Sequence, residues 1–318
     1  MNKPLFLLWT DGAEAYRKAI TAAGLDQRIR LEELPRNTTP STAQLQEAEA
    51  MLTWGPPAGT LAQMPKLRWA QALTAGVEHW LARTDLSPSL TLTCARGTHR
   101  VQMPENILGA LFHITKPYAA IVGDNAASTW TRRVSSTLAG QTLGILGLGA
   151  IGQELARKAA ALEMRVIGTR RATGALAHVE RVYAPEETDE VLAQSDFVVL
   201  LLPATPETES IINATRLARM KKTAWLLNFG RGALIDDAAL VAAAKSGTIA
   251  GAILDVFRQE PLPKDDPFWG TENILVLPHI GGLHPARDSM VAALLVENLR
   301  RFLDGASLKE VVDRKAGY

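Results

Sequence analysis

The chain has 318 residues, of which 47% are hydrophobic and 21% charged, and its formal net charge at pH 7 is +1. This length allows two domains, the composition is typical of a soluble globular protein, and the dispersed basic residues argue against a nucleic-acid partner. The single cysteine, Cys94, excludes an internal disulfide and a thiolate metal cluster and favours a reducing compartment. Apolar runs, including Pro4–Trp9, are too short for a signal peptide or a membrane span, so we expect a cytoplasmic protein without metal or membrane contacts.

The first 97 residues alternate between predicted strands and helices, which is the pattern of a parallel sheet wrapped by helices. The predicted strands are Leu5–Trp9, Ile29–Leu34, Ala50–Trp54, Leu67–Leu73 and Leu90–Cys94, and the predicted helices are Ala13–Ala23 and Ala43–Glu49. The turn Thr74-Ala75-Gly76-Val77 follows the fourth strand. Its backbone N–H groups could bind a carboxylate, or it could be an ordinary strand-to-helix turn, and the sequence leaves both open. Residues 98–123 then predict a connecting element, in which Pro104 suits a first helical position and the segment that follows, Glu105–Thr115, is mostly apolar.

A glycine-rich motif follows the next predicted strand, Thr142–Leu146. It reads Gly147-Leu148-Gly149-Ala150-Ile151-Gly152, and an amphipathic helix and a second strand, Val166–Gly168, come after it. This strand–turn–helix–strand context predicts a dinucleotide-binding unit. Gly147 would allow the tight turn, Gly149 the close approach of a pyrophosphate, and Gly152 the packing of the helix on the sheet, with phosphates bound at the helix N-terminus.

The end of the second strand bears on the choice between NAD(H) and NADP(H). A site for NAD(H) usually has Asp or Glu here to accept a hydrogen bond from the ribose 2′-hydroxyl. This chain instead has Thr169, Arg170 and Arg171, and no acidic residue occurs from Met164 to Val179. Two guanidinium groups can pair with a 2′-phosphate, so we predict that NADP(H) is preferred, with NAD(H) possible. The alternative is a solvated basic loop.

From residue 140 to about 283 the alternation of strands and helices continues, and we predict about six strands in a doubly wound sheet. The predicted strands after the motif are Asp196–Leu202, Ala224–Asn228, Ala252–Val256 and Ile274–Leu277, and the predicted helices are Pro185–Gln194, Asn213–Met220 and Asp236–Lys245. A last amphipathic helix is predicted over residues 286–304, closed by Gly305.

Three chemically complementary side chains follow neighbouring predicted strands. They are Arg231, Glu260 and His279. Reduction of a 2-oxo acid needs a proton at the carbonyl oxygen, which His279 could donate, and Glu260 could orient its ring and favour imidazolium. Arg231 could clamp the substrate carboxylate and polarise the carbonyl. Alone, each could instead be a surface charge or a structural histidine, but their common place after strand ends favours a catalytic site.

From about residue 48 to 304, the chain resembles the D-isomer-specific 2-hydroxyacid dehydrogenase family, and within it the NADPH-linked glyoxylate/hydroxypyruvate reductases. The matching segments are residues 146–152, 202–208, 228–232, 255–263 and 278–282, and the subgroup is favoured by residues 54–57, 71–77 and the arginine pair at 170–171. The resemblance implies catalysis by Arg231, Glu260 and His279. It implies substrate binding by Trp54, Ala75, Gly76, Val77 and Arg231. The implied cofactor contacts are Gly147, Gly149, Ala150, Ile151, Gly152, Thr169, Arg170, Arg171, Leu202, Pro203, Thr208, Phe229, Gly230 and Asp255, with Pro203 near the adenosine and Asp255 near the nicotinamide carboxamide.

The resemblance also implies an α/β fold class with two doubly wound parallel-sheet domains and a cleft between them. A flavodoxin-like substrate domain would comprise residues 1–97 plus 284–318, and a Rossmann cofactor domain residues 98–283. Members are usually homodimers. We therefore expect an oxidoreductase that transfers hydride from NADPH to a small 2-oxo acid, such as glyoxylate or hydroxypyruvate, and yields the D-2-hydroxy acid.

Some positions depart from the family pattern and leave alternatives open. Phe229-Gly230 replaces smaller residues before Arg231, and Leu283-His284-Pro285 stands where many relatives carry threonine, so the substrate is not determined. His284 is a rival general acid, although no paired carboxylate is apparent for it. The main alternative function is a dinucleotide-sensing regulatory protein without turnover; phosphoglycerate and formate dehydrogenases fit less well.

Overall fold

The computed structural model describes residues 3–317, which form two compact units. The terminal unit comprises the residues up to Thr98 together with those from His284 onward, and the central unit is His99–Leu283. Each unit contains one parallel sheet with helices packed on both of its faces. This is the α/β class with two doubly wound sheets expected from the sequence.

The terminal unit is built on a five-stranded sheet with the order β2-β1-β3-β4-β5. Its strands are β1 Leu5–Trp9, β2 Arg30–Leu34, β3 Ala48–Thr53, β4 Trp69–Ala72 and β5 Thr91–Thr93, and its helices are α1 Glu14–Ala22, α2 Thr42–Glu47, α3 Glu78–Leu81 and α10 Arg287–Leu303. This is the flavodoxin-like order, in which the chain reverses direction across the sheet between β1 and β3. Ligands bind such sheets beyond the carboxyl ends of the strands at that reversal.

Alternation along the strands divides the terminal core into two layers. On β1, Leu7 and Trp9 belong to one buried cluster, whereas Phe6 and Leu8 belong to the other, because successive side chains point to opposite faces. The last helix, α10, covers the second face through an apolar stripe that includes Leu295. The helix is also tied to the sheet by Asn298, a fully buried residue whose amide donates to Gln71 on β4 at 3.1 Å.

The central unit is built on a seven-stranded sheet with the order β12-β11-β10-β9-β6-β7-β8. Its strands are β6 Thr142–Leu146, β7 Arg165–Thr169, β8 Arg181–Tyr183, β9 Phe197–Leu200, β10 Trp225–Asn228, β11 Gly251–Leu254 and β12 Ile274–Val276. Its helices are α4 Gln102–Thr115, α5 Tyr118–Ala126, α6 Ala150–Ala160, α7 Thr188–Gln194, α8 Ala214–Leu217 and α9 Asp237–Ser246. The order is that of a dinucleotide-binding sheet, with the chain reversal between β6 and β9.

Some features of the structure differ from the sequence-based prediction. The predicted helix Ala43–Glu49 ends at Glu47, because Ala48 already pairs with Leu5 of β1. Pro104 is the third residue of α4 and not its first. The central sheet has seven strands and not six, since the three-residue edge strand β8 is too short to show a clear strand pattern.

The sequence-based prediction also missed α5 and the irregular segment that follows it, residues 127–137. This region exposes several large apolar side chains: Tyr118 at 67%, Val122 at 68%, Trp130 at 92% and Val134 at 97%. Within residues 3–317, each helix is too short or too polar to cross a bilayer.

Candidate active site

The glycine-rich loop connects β6 to α6 with a geometry that only glycine tolerates at two positions. Gly147 has a φ of 111°, and a Cβ there would lie 2.9 Å from the carbonyl carbon of Leu201. A Cβ on Gly152 would lie 2.3 Å from the carbonyl oxygen of Gly147. Within residues 3–317, the N–H groups of Gly149, Ala150 and Ile151 donate no hydrogen bond, so they can bind the phosphates of a dinucleotide at the start of α6.

The end of β7 places the basic residues beside this loop. Thr169 is buried, and its carbonyl accepts from the N–H of Leu148 at 2.9 Å, which joins the end of the strand to the glycine-rich loop. Arg170 is half-buried, and its guanidinium makes no hydrogen bond or ion pair with any residue from 3 to 317. Arg171 is exposed and contributes to a lowered pKa of Glu207, whose first cause is a hydrogen bond with Thr205. The guanidinium of Arg170 is therefore available to a ligand.

The turn after β9 carries Leu202, Pro203 and Thr208. The Thr208 hydroxyl donates to the carbonyl of Pro203 at 2.7 Å and accepts from the N–H of Thr205 at 2.8 Å. These bonds give the turn a defined shape next to the glycine-rich loop, since Leu201 is the residue that Gly147 approaches. The contacts of Leu202, Pro203 and Thr208 with a cofactor stay a prediction.

His279 and Glu260 form a hydrogen-bonded pair. His279 Nδ1 lies 2.6 Å from Glu260 Oε2, and because a carboxylate can only accept, the ring nitrogen is the donor. The other Glu260 oxygen accepts from the N–H of Phe257 at 2.9 Å, which orients the carboxylate. The His279 side chain is 55% exposed, and among residues 3–317 nothing is hydrogen-bonded to its Nε2. The ring can thus exchange a proton with a ligand at Nε2 while Glu260 orients it.

A buried carboxylate and an amide hold the turn that follows His279. Asp255, 1% exposed, accepts from the N–H groups of Ile280 and Gly281, both at 2.8 Å. Asn106 of α4 donates to the carbonyls of the same two residues at 3.1 and 3.0 Å. These four bonds support the left-handed backbone of His279, whose φ is 53°. Burial raises the pKa of the Asp255 carboxyl, against the lowering effect of the two N–H groups. The contact of Asp255 with a nicotinamide carboxamide stays a prediction.

Arg231 follows β10, which neighbours β11, the strand before Glu260. It is half-buried, and its Nη1 donates to the carbonyl of Gly230 at 2.7 Å. Asn228 closes the turn: its side chain accepts from the N–H of Gly230 at 3.1 Å and donates to the carbonyl of Arg231 at 2.9 Å. The preceding Phe229 is buried in the core, so this departure from smaller residues has a packing role. Arg231, Glu260 and His279 follow three adjacent strands, β10, β11 and β12.

In the terminal unit, the turn after β4 has unused donors. Within residues 3–317, the N–H groups of Ala75, Gly76 and Val77 donate no hydrogen bond. The Thr74 hydroxyl donates to the carbonyl of Gly76 at 2.6 Å and so closes the turn. Three successive free N–H groups at the carboxyl edge of a parallel sheet form a site suited to a carboxylate.

Trp54 and His284 are also in the terminal unit. Trp54 follows β3, is half-buried, and donates through its indole nitrogen to the Thr10 hydroxyl at 3.1 Å. His284 Nε2 lies 3.3 Å from the carbonyl of Thr98. That contact engages one ring nitrogen of His284 with a backbone carbonyl, whereas His279 is bonded to the side chain of Glu260.

Two residues with a clear positioning role were not singled out from the sequence. Asn106 lies more than 170 positions from the turn that it holds. Arg258 donates to the carbonyls of Ala233 and Ile235 at 3.1 and 2.7 Å and so ties the segment before Glu260 to the segment after Arg231. No local pattern marks Asn106, because its partners come from a distant part of the chain. Arg258 is two residues before Glu260, and that closeness was the available signal.

Known proteins resemble this chain over most of its length. Residues 108–281 match the model of the D-isomer specific 2-hydroxyacid dehydrogenase NAD binding domain. Glyoxylate/hydroxypyruvate reductase B of Cronobacter sakazakii is 34% identical over 267 residues, covering 81% of this chain and 82% of its own.

Two solved structures resemble the whole chain. One is a D-isomer specific 2-hydroxyacid dehydrogenase from Xanthobacter autotrophicus in complex with NADPH and MES, with a TM-score of 0.87, 31% identity and full coverage of both chains. The other is an NADPH-dependent glyoxylate/hydroxypyruvate reductase from Sinorhizobium meliloti in complex with NADP and sulfate, with a TM-score of 0.84, 28% identity and full coverage of both chains. The chain belongs to the D-isomer specific 2-hydroxyacid dehydrogenase family and is an NAD(P)-dependent oxidoreductase.

Proposed function

We propose that this protein is an NADPH-dependent reductase of small 2-oxo acids, of the glyoxylate and hydroxypyruvate type, and that it produces the D-2-hydroxy acid. The observation that carries the proposal is the 2.6 Å hydrogen bond between His279 and Glu260, which leaves Nε2 of an exposed ring available. The two residues follow β11 and β12, and the glycine-rich loop follows β6 of the same sheet. The relatives named as glyoxylate/hydroxypyruvate reductases support the substrate class.

The proposed general acid is His279. Its Nε2 would donate a proton to the carbonyl oxygen of the substrate as that oxygen becomes a hydroxyl. Glu260, bonded to the opposite ring nitrogen, would stabilise the imidazolium form and hold the ring in one orientation. Asp255 and Asn106 bind the peptide groups immediately after His279 and so hold the backbone that carries the ring. The ring would therefore already be in position when substrate binds.

The proposed substrate-binding groups are the N–H groups of Ala75, Gly76 and Val77, the guanidinium of Arg231, and Trp54. The three free N–H groups suit the carboxylate of the acid. A guanidinium can pair with that carboxylate and draw electron density from the carbonyl oxygen, which lowers the cost of the charge that develops there.

The proposed cofactor site is formed by the glycine-rich loop and the ends of β7, β9 and β10. A bound NADPH would supply the hydride. Gly149, Ala150 and Ile151 would bind its phosphates through their N–H groups, and Arg170 and Arg171 would bind the 2′-phosphate. The free, half-buried guanidinium of Arg170 supports a preference for NADPH over NADH. Leu202, Pro203, Thr208, Phe229, Gly230 and Asp255 are the remaining proposed contacts.

We propose a homodimer that uses α5 and residues 127–137. Trp130 and Val134 are almost fully exposed there, and a cluster of exposed apolar side chains is typical of an interface. A bidentate ion pair between Arg133 and Asp124, at 2.8 and 2.9 Å, gives this segment a defined path. We expect Trp130→Ser to shift the mass measured by light scattering from dimer to monomer, whereas Trp269→Ser, at another exposed tryptophan, should not. A dimer that survives Trp130→Ser unchanged would place the interface elsewhere.

The proposed compartment is the cytoplasm. The single cysteine, Cys94, is fully buried, and burial raises the pKa of its thiol, so it is kept as an unreactive core residue. Fractionation of cells that express the protein would test this proposal.

The direct test follows the absorbance of reduced cofactor with glyoxylate, hydroxypyruvate and longer 2-oxo acids, each against NADPH and NADH. We expect oxidation of NADPH, faster than that of NADH, and, from hydroxypyruvate and the longer acids, a chiral product that a D-specific enzyme oxidises. Tight NADPH binding with no turnover on any acid would instead favour a dinucleotide-sensing role.

A further inference from the structure

The carboxyl edge of the terminal sheet contains a pocket of about 320 Å³, lined by Arg36, Trp54, Gly55, Thr74 and His79. Its lining residues follow β2, β3 and β4, and they surround the reversal between β1 and β3 where such sheets bind ligands. Thr74 is also the first residue of the turn whose N–H groups are free. The pocket is therefore continuous with the proposed carboxylate site.

Two guanidinium groups lie over the indole of Trp54. The Cζ atom of Arg287 is 4.7 Å from the ring centroid and that of Arg36 is 5.2 Å away. Trp54 is itself fixed, because its indole nitrogen donates to Thr10 and its carbonyl accepts from His79 Nε2 at 2.9 Å. A fixed aromatic ring attracts both guanidinium groups to the pocket through cation–π interaction. This interaction does not use their N–H groups, which can still donate hydrogen bonds.

The two arginines differ in how their N–H groups are used. Arg287 donates to Asp288 at 2.5 Å and to the carbonyl of Leu73, and its side chain is only 14% exposed. Its charge is thus largely matched by Asp288, which also accepts from the Tyr16 hydroxyl at 2.9 Å. Arg36 is exposed, and its guanidinium makes no hydrogen bond or ion pair with any residue from 3 to 317.

One further carboxylate is close to this site. Asp11 accepts from the backbone N–H of Arg36 at 3.0 Å, yet it makes no ion pair with the Arg36 guanidinium. The five N–H donors of Arg36 are consequently available to a ligand, and a planar guanidinium suits a carboxylate or a phosphate in two-point contact. A substrate with only a hydrogen or a hydroxymethyl group beyond the carbonyl would leave this cation without an anionic partner.

We propose that the pocket lined by Arg36 and Trp54, with Arg287 over the same indole, selects 2-oxo acids that carry a second anionic group beyond the carbonyl. This rests on the proposed function, since it assigns the far end of the same substrate. The N–H groups of Ala75, Gly76 and Val77 bind the carboxylate next to the carbonyl, and Arg36 binds the distal anion, with Arg287 adding positive charge. The distal anion is a carboxylate or a phosphate ester, which share the chemistry that a guanidinium recognises.

The test compares three substrates that differ in the distal group: glyoxylate has none, oxaloacetate has a carboxylate, and 3-phosphohydroxypyruvate has a phosphate. We expect Arg36→Gln to lower kcat/KM at least about tenfold for one or both dianions, mainly through KM, and less than about twofold for glyoxylate. Whichever dianion loses more identifies the distal group. Arg36→Lys should recover part of the loss, because it restores the charge without the planar fork. Arg30→Gln is the matched control, because Arg30 is an exposed arginine on β2 that pairs with Glu47.

Equal loss for glyoxylate and the dianions, or no loss for either dianion, would overturn the proposal. A separate measurement distinguishes this from failure of the proposed function: calorimetric binding of D-malate and D-lactate to the NADPH-loaded protein. Arg36-dependent preference for D-malate supports the pocket assignment even if no acid is reduced. If glyoxylate is reduced but no preference for a dianionic ligand depends on Arg36, the pocket assignment is overturned and the proposed function remains intact.

Discussion

The carboxyl edges of the two sheets use their polar groups in opposite ways. At the edge of the central sheet, the loops after β10, β11 and β12 are bonded to one another: Asp255 and Asn106 hold the turn after His279, and Glu260 is fixed by Phe257. At the edge of the terminal sheet, the guanidinium of Arg36 and three N–H groups have no hydrogen-bond or ion-pair partner within residues 3–317. Catalytic side chains work best when they are already oriented, whereas groups that recognise a substrate must keep donors unused until it binds.

The largest expected effect tests the oriented edge. We expect His279→Gln to lower kcat by a factor of about 100 or more, because glutamine cannot donate the proton. NADPH affinity should change little, since the glycine-rich loop is untouched. Fluorescence titration of NADPH beside the kinetic assay checks both quantities. Near-full activity would show that His279 is not the general acid and would leave His284 as the candidate.

The next prediction separates packing from ligand binding in the glycine-rich loop. Gly152→Ala would put a Cβ 2.3 Å from the carbonyl oxygen of Gly147, so we expect unfolding free energy to fall by about 2–3 kcal/mol. Gly149→Ala is the matched control, because a Cβ there meets nothing within 4 Å. Gly149→Ala should leave the unfolding free energy unchanged and weaken NADPH binding, since the methyl group restricts the approach of the cofactor phosphates to the free N–H groups. Denaturant unfolding and NADPH titration of both variants measure the difference, and equal stability of the two would contradict the steric argument.

The third prediction concerns the terminal edge, where one ion pair supports the loop after β3. Arg83 donates to the carbonyls of Pro56 and Pro57 and to Asp85, and both charged side chains are nearly buried. Burial alone would raise the pKa of Asp85, but hydrogen bonds from Arg83 and Leu61 outweigh it and hold the pKa below its ordinary value.

A carboxyl whose pKa is lower in the folded state stabilises the protein above its unfolded pKa of about 4, and that contribution is lost as pH falls through the folded pKa. We expect Asp85→Asn to cost about 1.5–2 kcal/mol of unfolding free energy at pH 7, and this cost to shrink below about pH 4. Urea unfolding of wild type and variant at pH 7 and pH 3 makes the comparison. A cost that does not change with pH would mean that the charge of Asp85 is irrelevant.

The smallest expected effect tests Arg170, whose guanidinium makes no hydrogen bond or ion pair with the part of the chain that the structure describes. We expect Arg170→Ala to weaken NADPH about tenfold, equivalent to about 1.4 kcal/mol, with little change for NADH. Arg171→Ala should have a smaller effect, because Arg171 is exposed and lies near Glu207. Titration with both cofactors gives the ratio of their dissociation constants. An equal loss of affinity for NADPH and NADH would contradict the assignment of Arg170 to the 2′-phosphate.

Strong local patterns predicted much of the fold. The strands β1, β6, β10 and β12 lie within or at the predicted apolar runs, because strands covered on both faces are continuous apolar segments. Short or mixed segments were harder: Arg181–Tyr183 has three residues at a sheet edge, and Ala48 continues a helical pattern but pairs with Leu5 of β1. Pairing with a neighbouring strand decided both, since β8 pairs with β7 and Ala48 pairs with Leu5 of β1.

By itself, the sequence determined the glycine-rich turn, the alternation of strands and helices, and the residue types that follow β10, β11 and β12, because each depends on near neighbours in the chain. Only the tertiary structure decided which of these groups are bonded and which are free: the His279–Glu260 contact, the hold of Asn106 on residues 280 and 281, and the two arginines over Trp54. Some of these contacts join segments that are more than two hundred residues apart in the chain. Strand order and core packing set their geometry, and the local spacing of residues does not encode either.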